Sequence, residues 1–106
     1  MTVNEALIQQ VIDRILTAAK PTRVILFGSA AKGAMGPDSD LDLLVIEQGV
    51  TSAREENIRL RAALGDLGIS IDVFAMTPER FEETKNVFGG LAYPANKYGR
   101  VIYETA

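Results

Sequence analysis

The sequence predicts an α/β fold. Three runs of β-branched, leucine and aromatic residues, at 23–27, 41–46 and 69–76, read as strands. The segments around them carry apolar residues at helical spacing or open on helix-capping residues. The length, 106 residues, allows one substantial core and is expected to form a single domain over 1–106.

In chain order, Thr2 and Glu5 fit a capping box with Thr2 as the N-cap. Leu7, Ile8, Val11, Ile12, Ile15 and Leu16 then form one apolar stripe on a helix ending near Ala19, closed by Lys20 and Pro21. The first strand, 23–27, has no breaker inside it, and Gly28-Ser29 stops it. Residues 29–32 favour one or two helical turns before Gly33. Backbone N–H groups at such a start have no intrahelical partner and offer an anion site, to which Ser29 adds a hydroxyl. Residues 36–39, Gly-Pro-Asp-Ser, are turn chemistry.

The second strand, 41–46, is apolar except for Asp42. Ser52 with Glu55 forms a second capping box, opening a helix over 53–66 with Leu60, Leu64 and Leu67 as its buried line. Arg54, Arg59 and Arg61 lie elsewhere on it, either as a solvated face or as a basic lip beside a ligand. Gly65 and Gly68 lead into the third strand, where Ile71, Val73 and Ala75 point one way and Asp72, Phe74 and Met76 the other. Thr77 and Pro78 start a further helix, with Phe81 and either Val87 or Phe88 packing inward. Residues 89–99 read as irregular. Their apolar and aromatic members, including Leu91, Tyr93 and Tyr98, either cover the sheet edge or meet a partner. A short closing strand is expected over 100–104.

Hydrophobic residues make up 47% and charged residues 24%, as in ordinary globular domains. A formal charge of −3 and a pI near 4.9 argue against direct nucleic-acid binding. There is no cysteine, hence no disulfide and no thiolate metal site, and the chain suits a cytoplasmic location. There is no histidine, which leaves proton and metal work to carboxylates. Neither a signal peptide nor a membrane span is expected, since charged residues interrupt every apolar stretch.

Asp40 and Asp42 are the informative pair. At a spacing of two on a strand, both leave the same face roughly 6–7 Å apart. Carboxylates that close repel unless a cation sits between them, and hard divalent ions favour such oxygen ligands. A solvated turn would explain Asp40 alone, but Asp42 stands inside an apolar strand where a bare carboxylate is costly. Asp72, also mid-strand, is either an edge residue facing water or part of a site. Other glycine-loop motifs fail on spacing. Lys32 precedes Gly33 rather than following it, and Gly28, Gly33 and Gly36 do not make a dinucleotide fingerprint.

Gly28-Ser29-x-Ala31-Lys32-Gly33, followed by Ser39-Asp40-x-Asp42-Leu43, resembles the nucleotidyltransferase signature of the DNA polymerase β superfamily. In size and tail the chain is similar to the minimal nucleotidyltransferases (MNT) paired with HEPN toxins. The resemblance spans nearly the whole chain. Lys32 departs from the arginine that many relatives carry, keeping the charge but not the bidentate fork.

The resemblance implies an α+β mixed sheet with helices on one face, and transfer of a nucleoside monophosphate, AMP from ATP, to a hydroxyl. It implies phosphate contacts from Gly28, Ser29, Lys32 and Ser39, and two magnesium ions on Asp40, Asp42 and Asp72. Asp72 would also help deprotonate the acceptor. The expected acceptor is a tyrosine of a HEPN toxin partner, with this chain as the antitoxin. The alternatives are a silent antitoxin that neutralises its partner by contact, and a small-molecule nucleotidyltransferase.

Overall fold

The computed structural model of the protein describes residues 5–28 and 41–105. The elements are α1 (Glu5–Ala18), β1 (Arg23–Phe27), β2 (Leu41–Ile46), α2 (Ala53–Leu64), β3 (Ile71–Met76), α3 (Pro78–Thr84), α4 (Ala92–Tyr98) and β4 (Arg100–Glu104). The strands form one sheet in the order β3-β2-β1-β4. β1 is antiparallel to β2 and β4, and β2 is parallel to β3, so the sheet is mixed. Parallel neighbours need a crossover, and α2 is that crossover.

The strand alternation divides the interior in two. On one face Val24, Leu26, Leu41, Leu43, Val45, Ile71 and Val73 pack with Ile8, Val11, Ile12 and Ile15 of α1 and with Leu60 and Leu64 of α2. On the other, Ile25, Phe27, Leu44 and Ile46 pack with Phe81 of α3 and Ala92 and Ala95 of α4. Helices therefore stand on both faces, not on one as the resemblance implied, because two short C-terminal helices fold back over the second face.

α1 and α2 cap each other. Nη1 of Arg14 donates to the carbonyl of Leu64 at 2.7 Å, and Nη1 of Arg59 donates to the carbonyl of Ala18. The pairings 14 with 64 and 18 with 59 run in opposite directions, so the two helices are antiparallel. Each guanidinium satisfies a carbonyl that its helix end leaves open. Ser52 caps α2 by accepting from the N–H of Glu55 at 3.2 Å, and Thr77 caps α3 by accepting from that of Arg80 at 3.1 Å, as their sequences predict. Thr2 lies outside the described residues. Glu5 is bound to Arg100 of β4 at 2.9 Å.

Four expectations need correction. The 89–99 segment is not irregular, because residues 92–98 form α4. Pro94 sits in its first turn, where a missing N–H breaks no helical bond, and the buried residues are only two alanines. Leu16 is exposed at the end of the α1 stripe. Neither Val87 nor Phe88 packs inward. Phe88 is 86% exposed and meets the Tyr93 ring in an edge-to-face arrangement, at 5.4 Å between centroids. The third strand begins at Ile71 rather than at residue 69.

Phe81 and Phe88 should therefore respond oppositely to truncation. Phe81→Ala should lower stability by roughly 3–5 kcal/mol, the scale for emptying a buried aromatic site, whereas Phe88→Ala should stay within about 0.5 kcal/mol of wild type. Denaturant melts of the two variants check this, and equal losses would contradict the inward placement of Phe81.

Candidate active site

The parallel register of β2 and β3 pairs Asp42 with Asp72 directly. The antiparallel register of β1 and β2 pairs Phe27 with Asp42. One row across the sheet is therefore Phe27, Asp42, Asp72, and the next row inward is Ile25, Leu44, Phe74. Side chains of one row leave the same face, and neighbouring strands lie about 4.8 Å apart. The two carboxylates thus stand side by side at the rim of an apolar face, at the end where β1 finishes and β2 and β3 begin.

Gly28 closes this end from the β1 side. Its φ is +75°, and a Cβ there would overlap Oδ2 of Asp42 and lie 3.3 Å from its Cγ. The absent side chain is what lets the backbone after β1 approach the carboxylate.

On its outer side Asp72 meets α2. Nη1 of Arg61 lies 3.8 Å from Oδ1 of Asp72, with the two side chains 64% and 42% exposed. One helical turn earlier, Oδ1 of Asn57 accepts from the N–H of Ala75 at 2.6 Å, so α2 follows the free edge of β3. Asn57, Ile58, Arg61, Asp72, Val73 and Phe74 line a cavity of about 240 Å³ there. Asp72 is accordingly both an edge-strand residue and the register partner of Asp42, so the two readings of it do not exclude each other. Arg61 reaches a carboxylate, whereas Arg59 is occupied with Glu56 and Ala18. The sequence signal for the edge role of α2 is the i, i+4 spacing of Asn57 and Arg61, which puts both on one side of the helix.

Of the predicted site residues, Gly28, Asp42 and Asp72 come together at one end of the sheet. Ser29, Lys32, Ser39 and Asp40 lie outside the described residues. Among the described residues no group of three acidic or histidine side chains converges as a metal site. The Asp42–Asp72 pair nonetheless fits a hard divalent cation. It offers two carboxylates side by side on adjacent strands, the kind of oxygen ligand that hard divalent ions favour.

A four-stranded mixed sheet with helices packed on it is the α+β architecture of the nucleotidyltransferase fold. The family model described as nucleotidyltransferase domain matches residues 8–95, and the chain belongs to that family. No curated sequence matches the chain at a significant level. Two of the solved structures that share its fold are toxin–antitoxin assemblies. One, a toxin–antitoxin crystal structure with AMP-PNP, has a TM-score of 0.61 at 20% identity, covering 92% of this chain and 73% of that one. The other is the toxin–antitoxin MntA-HpeT, in a mutant with two aspartates two positions apart each changed to glutamate. Its TM-score is 0.58 at 16% identity, covering 97% of this chain and 75% of that one.

The close approach at Gly28 has a measurable consequence. Gly49 also has positive φ, +80°, but open space around it. Gly49→Ala should cost about 1–2 kcal/mol, the strain of a left-handed residue alone. Gly28→Ala should cost clearly more, because the added methyl also displaces the Asp42 carboxylate. Thermal melts of the pair test the difference, and equal losses would mean that Asp42 moves aside freely.

Proposed function

We propose that the chain is a magnesium-dependent nucleotidyltransferase that moves AMP from ATP to a hydroxyl, and that the hydroxyl belongs to a tyrosine of a HEPN toxin for which this chain is the antitoxin. The observation that carries the reading is the in-register pairing of Asp42 with Asp72 at the glycine-flanked end of a nucleotidyltransferase sheet. Both fold neighbours being toxin–antitoxin assemblies supports the partner class, and AMP-PNP in one supports the nucleotide. The paired aspartate substitutions in the other match the spacing of Asp40 and Asp42.

In this reading Gly28, Ser29, Lys32 and Ser39 hold the triphosphate, and Asp40, Asp42 and Asp72 hold the magnesium. Magnesium at these carboxylates supplies charge neutralisation at the reacting phosphate. Asp72 takes the proton of the acceptor hydroxyl, whose oxygen bonds to the α-phosphorus while the bond to pyrophosphate breaks. The cavity on the outer side of Asp72 would then be the acceptor's approach to that carboxylate. Its lining combines apolar Ile58 and Phe74 with the cationic Arg61, a mix compatible with a phenol.

A second reading, neutralisation by contact alone, is favoured by one specific observation. Val87, Phe88, Leu91, Tyr98 and Val101 are all exposed on the C-terminal third of the chain. Aromatic residues of this kind recur at protein interfaces.

Two measurements separate the readings. Calorimetry should show ATP binding that requires magnesium and is lost in the Asp40→Asn, Asp42→Asn double variant; unchanged, metal-independent binding there would sink the enzyme reading. Asp72→Asn should retain ATP binding while transfer to the partner falls about a hundredfold, the scale for a positioned base. Full transfer by that variant would return Asp72 to a structural role.

A further inference from the structure

The other end of β2 holds a polar group that the proposed reaction does not use. Glu47 follows β2 directly, roughly 17 Å along the strand direction from Asp42. Its N–H donates to the carbonyl of Met76 at 3.0 Å, which fixes the backbone. The side chain is the exception. Glu47 is only 5% exposed, and its Oε1 is the one buried side-chain oxygen or nitrogen without a hydrogen-bond partner among the described residues. An ionised Glu47 leaves that buried acceptor unsatisfied, which is destabilising, so the side chain either keeps a proton shared with Glu56 or takes a donor from outside.

The surroundings say what kind of donor is missing. Glu47 lines a cavity of about 590 Å³ between the end of α1 and the turn that leads into α2. Glu55 and Glu56 of α2 line it too, as does the carbonyl end of α1 at Ala18 and Ala19. Carbonyl ends of helices carry partial negative charge. Against these stand Arg59 and Lys20. Arg59 spends three of its five N–H groups elsewhere, with Nε and Nη2 on Glu56 at 2.7 and 2.5 Å and Nη1 on the Ala18 carbonyl, and none of these bonds reaches Glu47. Lys20 is exposed. The lining therefore sets three carboxylates and a helix carbonyl end against two cations, which leaves it a net attraction for a further cationic donor. A metal ion needs several converging oxygens, and no such group of acidic side chains forms among the described residues. Ala18, Ala19 and Val50 supply an apolar wall that suits a hydrocarbon stem.

We infer that this cavity is a second binding site, for an alkyl ammonium or alkyl guanidinium group whose N–H donates to Glu47. Protonation behaviour agrees with the geometry. Burial first, and then Glu56 through hydrogen bonding and repulsion, push Glu47 up to about 7. Glu56 is lowered, chiefly by its hydrogen bond from Arg59. An entering cation takes the place of the Glu47 proton, so binding should release a proton near neutral pH and strengthen as pH rises through 7.

The test is calorimetric titration of the full chain with n-butylguanidinium and n-butylammonium, with n-butanol as the neutral control. At least one cation should bind saturably at one site while n-butanol does not, and that binding should weaken at least tenfold in Glu47→Gln. Thr51→Trp, an exposed change at the cavity rim, should block the same binding without touching the carboxyl. In the bound wild type, heats should vary with the ionisation enthalpy of the buffer, as proton release requires. Absence of saturable cation binding, or unchanged affinity in either variant, would overturn the site. Melts across pH give an independent check of Glu47 itself. The folded chain keeps a proton that the unfolded chain releases above 4.5, so wild type should lose stability relative to Glu47→Gln between pH 4.5 and about 7 and no further above it. Parallel stability curves for the two proteins would show that Glu47 is not the buried acceptor the site requires.

Discussion

The parallel pairing of β2 with β3 is the constraint on which the candidate site depends. Its register sets Asp42 against Asp72, and a slip by one residue would turn one of the carboxylates into the α1–α2 core. The same pairing demands a crossover, and that crossover brings Arg61 and Asn57 to the outer edge of β3. β1, running the other way, delivers Gly28 to the end at which β2 and β3 start. Three strands of two senses thus meet at one acidic corner.

That corner tolerates charge because of where it sits in the sheet. The row behind it, Ile25, Leu44 and Phe74, is apolar and belongs to the second core, whereas the acidic row lies at the margin. Carboxylates there keep contact with water, which lowers the desolvation penalty that a mid-sheet position would impose. The backing layer is held from both ends by the exchanged arginine caps of α1 and α2, so the helices can keep the strands in register from the face that the site does not use.

Much of this was legible in the sequence. β1, β2 and β4 coincide with apolar runs, and Asp42 and Asp72 were marked because each interrupts such a run. Their adjacency was not, since strand order and sense come from long-range pairing that periodicity does not encode. α4 was hidden by Pro94 and by a buried face of two small alanines, too slight to register as an apolar stripe. Phe88 misled in the other direction, because a large apolar side chain reads as core and here faces solvent. Glu47 carried no signal in the sequence beyond following an apolar run. Its burial follows from α2 folding across it, which a linear reading has no means to see. Ser29, Lys32, Ser39 and Asp40 remain sequence assignments, outside the described residues.

The Asn57 side chain, bonded to the N–H of Ala75, also sets the two margins of the sheet apart. On the β3 side an incoming strand would meet that amide, already seated on the Ala75 N–H, and the Arg61–Asp72 pair. β4, at the opposite margin, is mostly exposed along its length. Among the described residues the obstructed margin is therefore that of β3, while the exposed one, β4, lies two strands from β2. The two margins of the sheet thus differ in kind, one tied to a helix and close to the acidic corner, the other separated from Asp42 by β1.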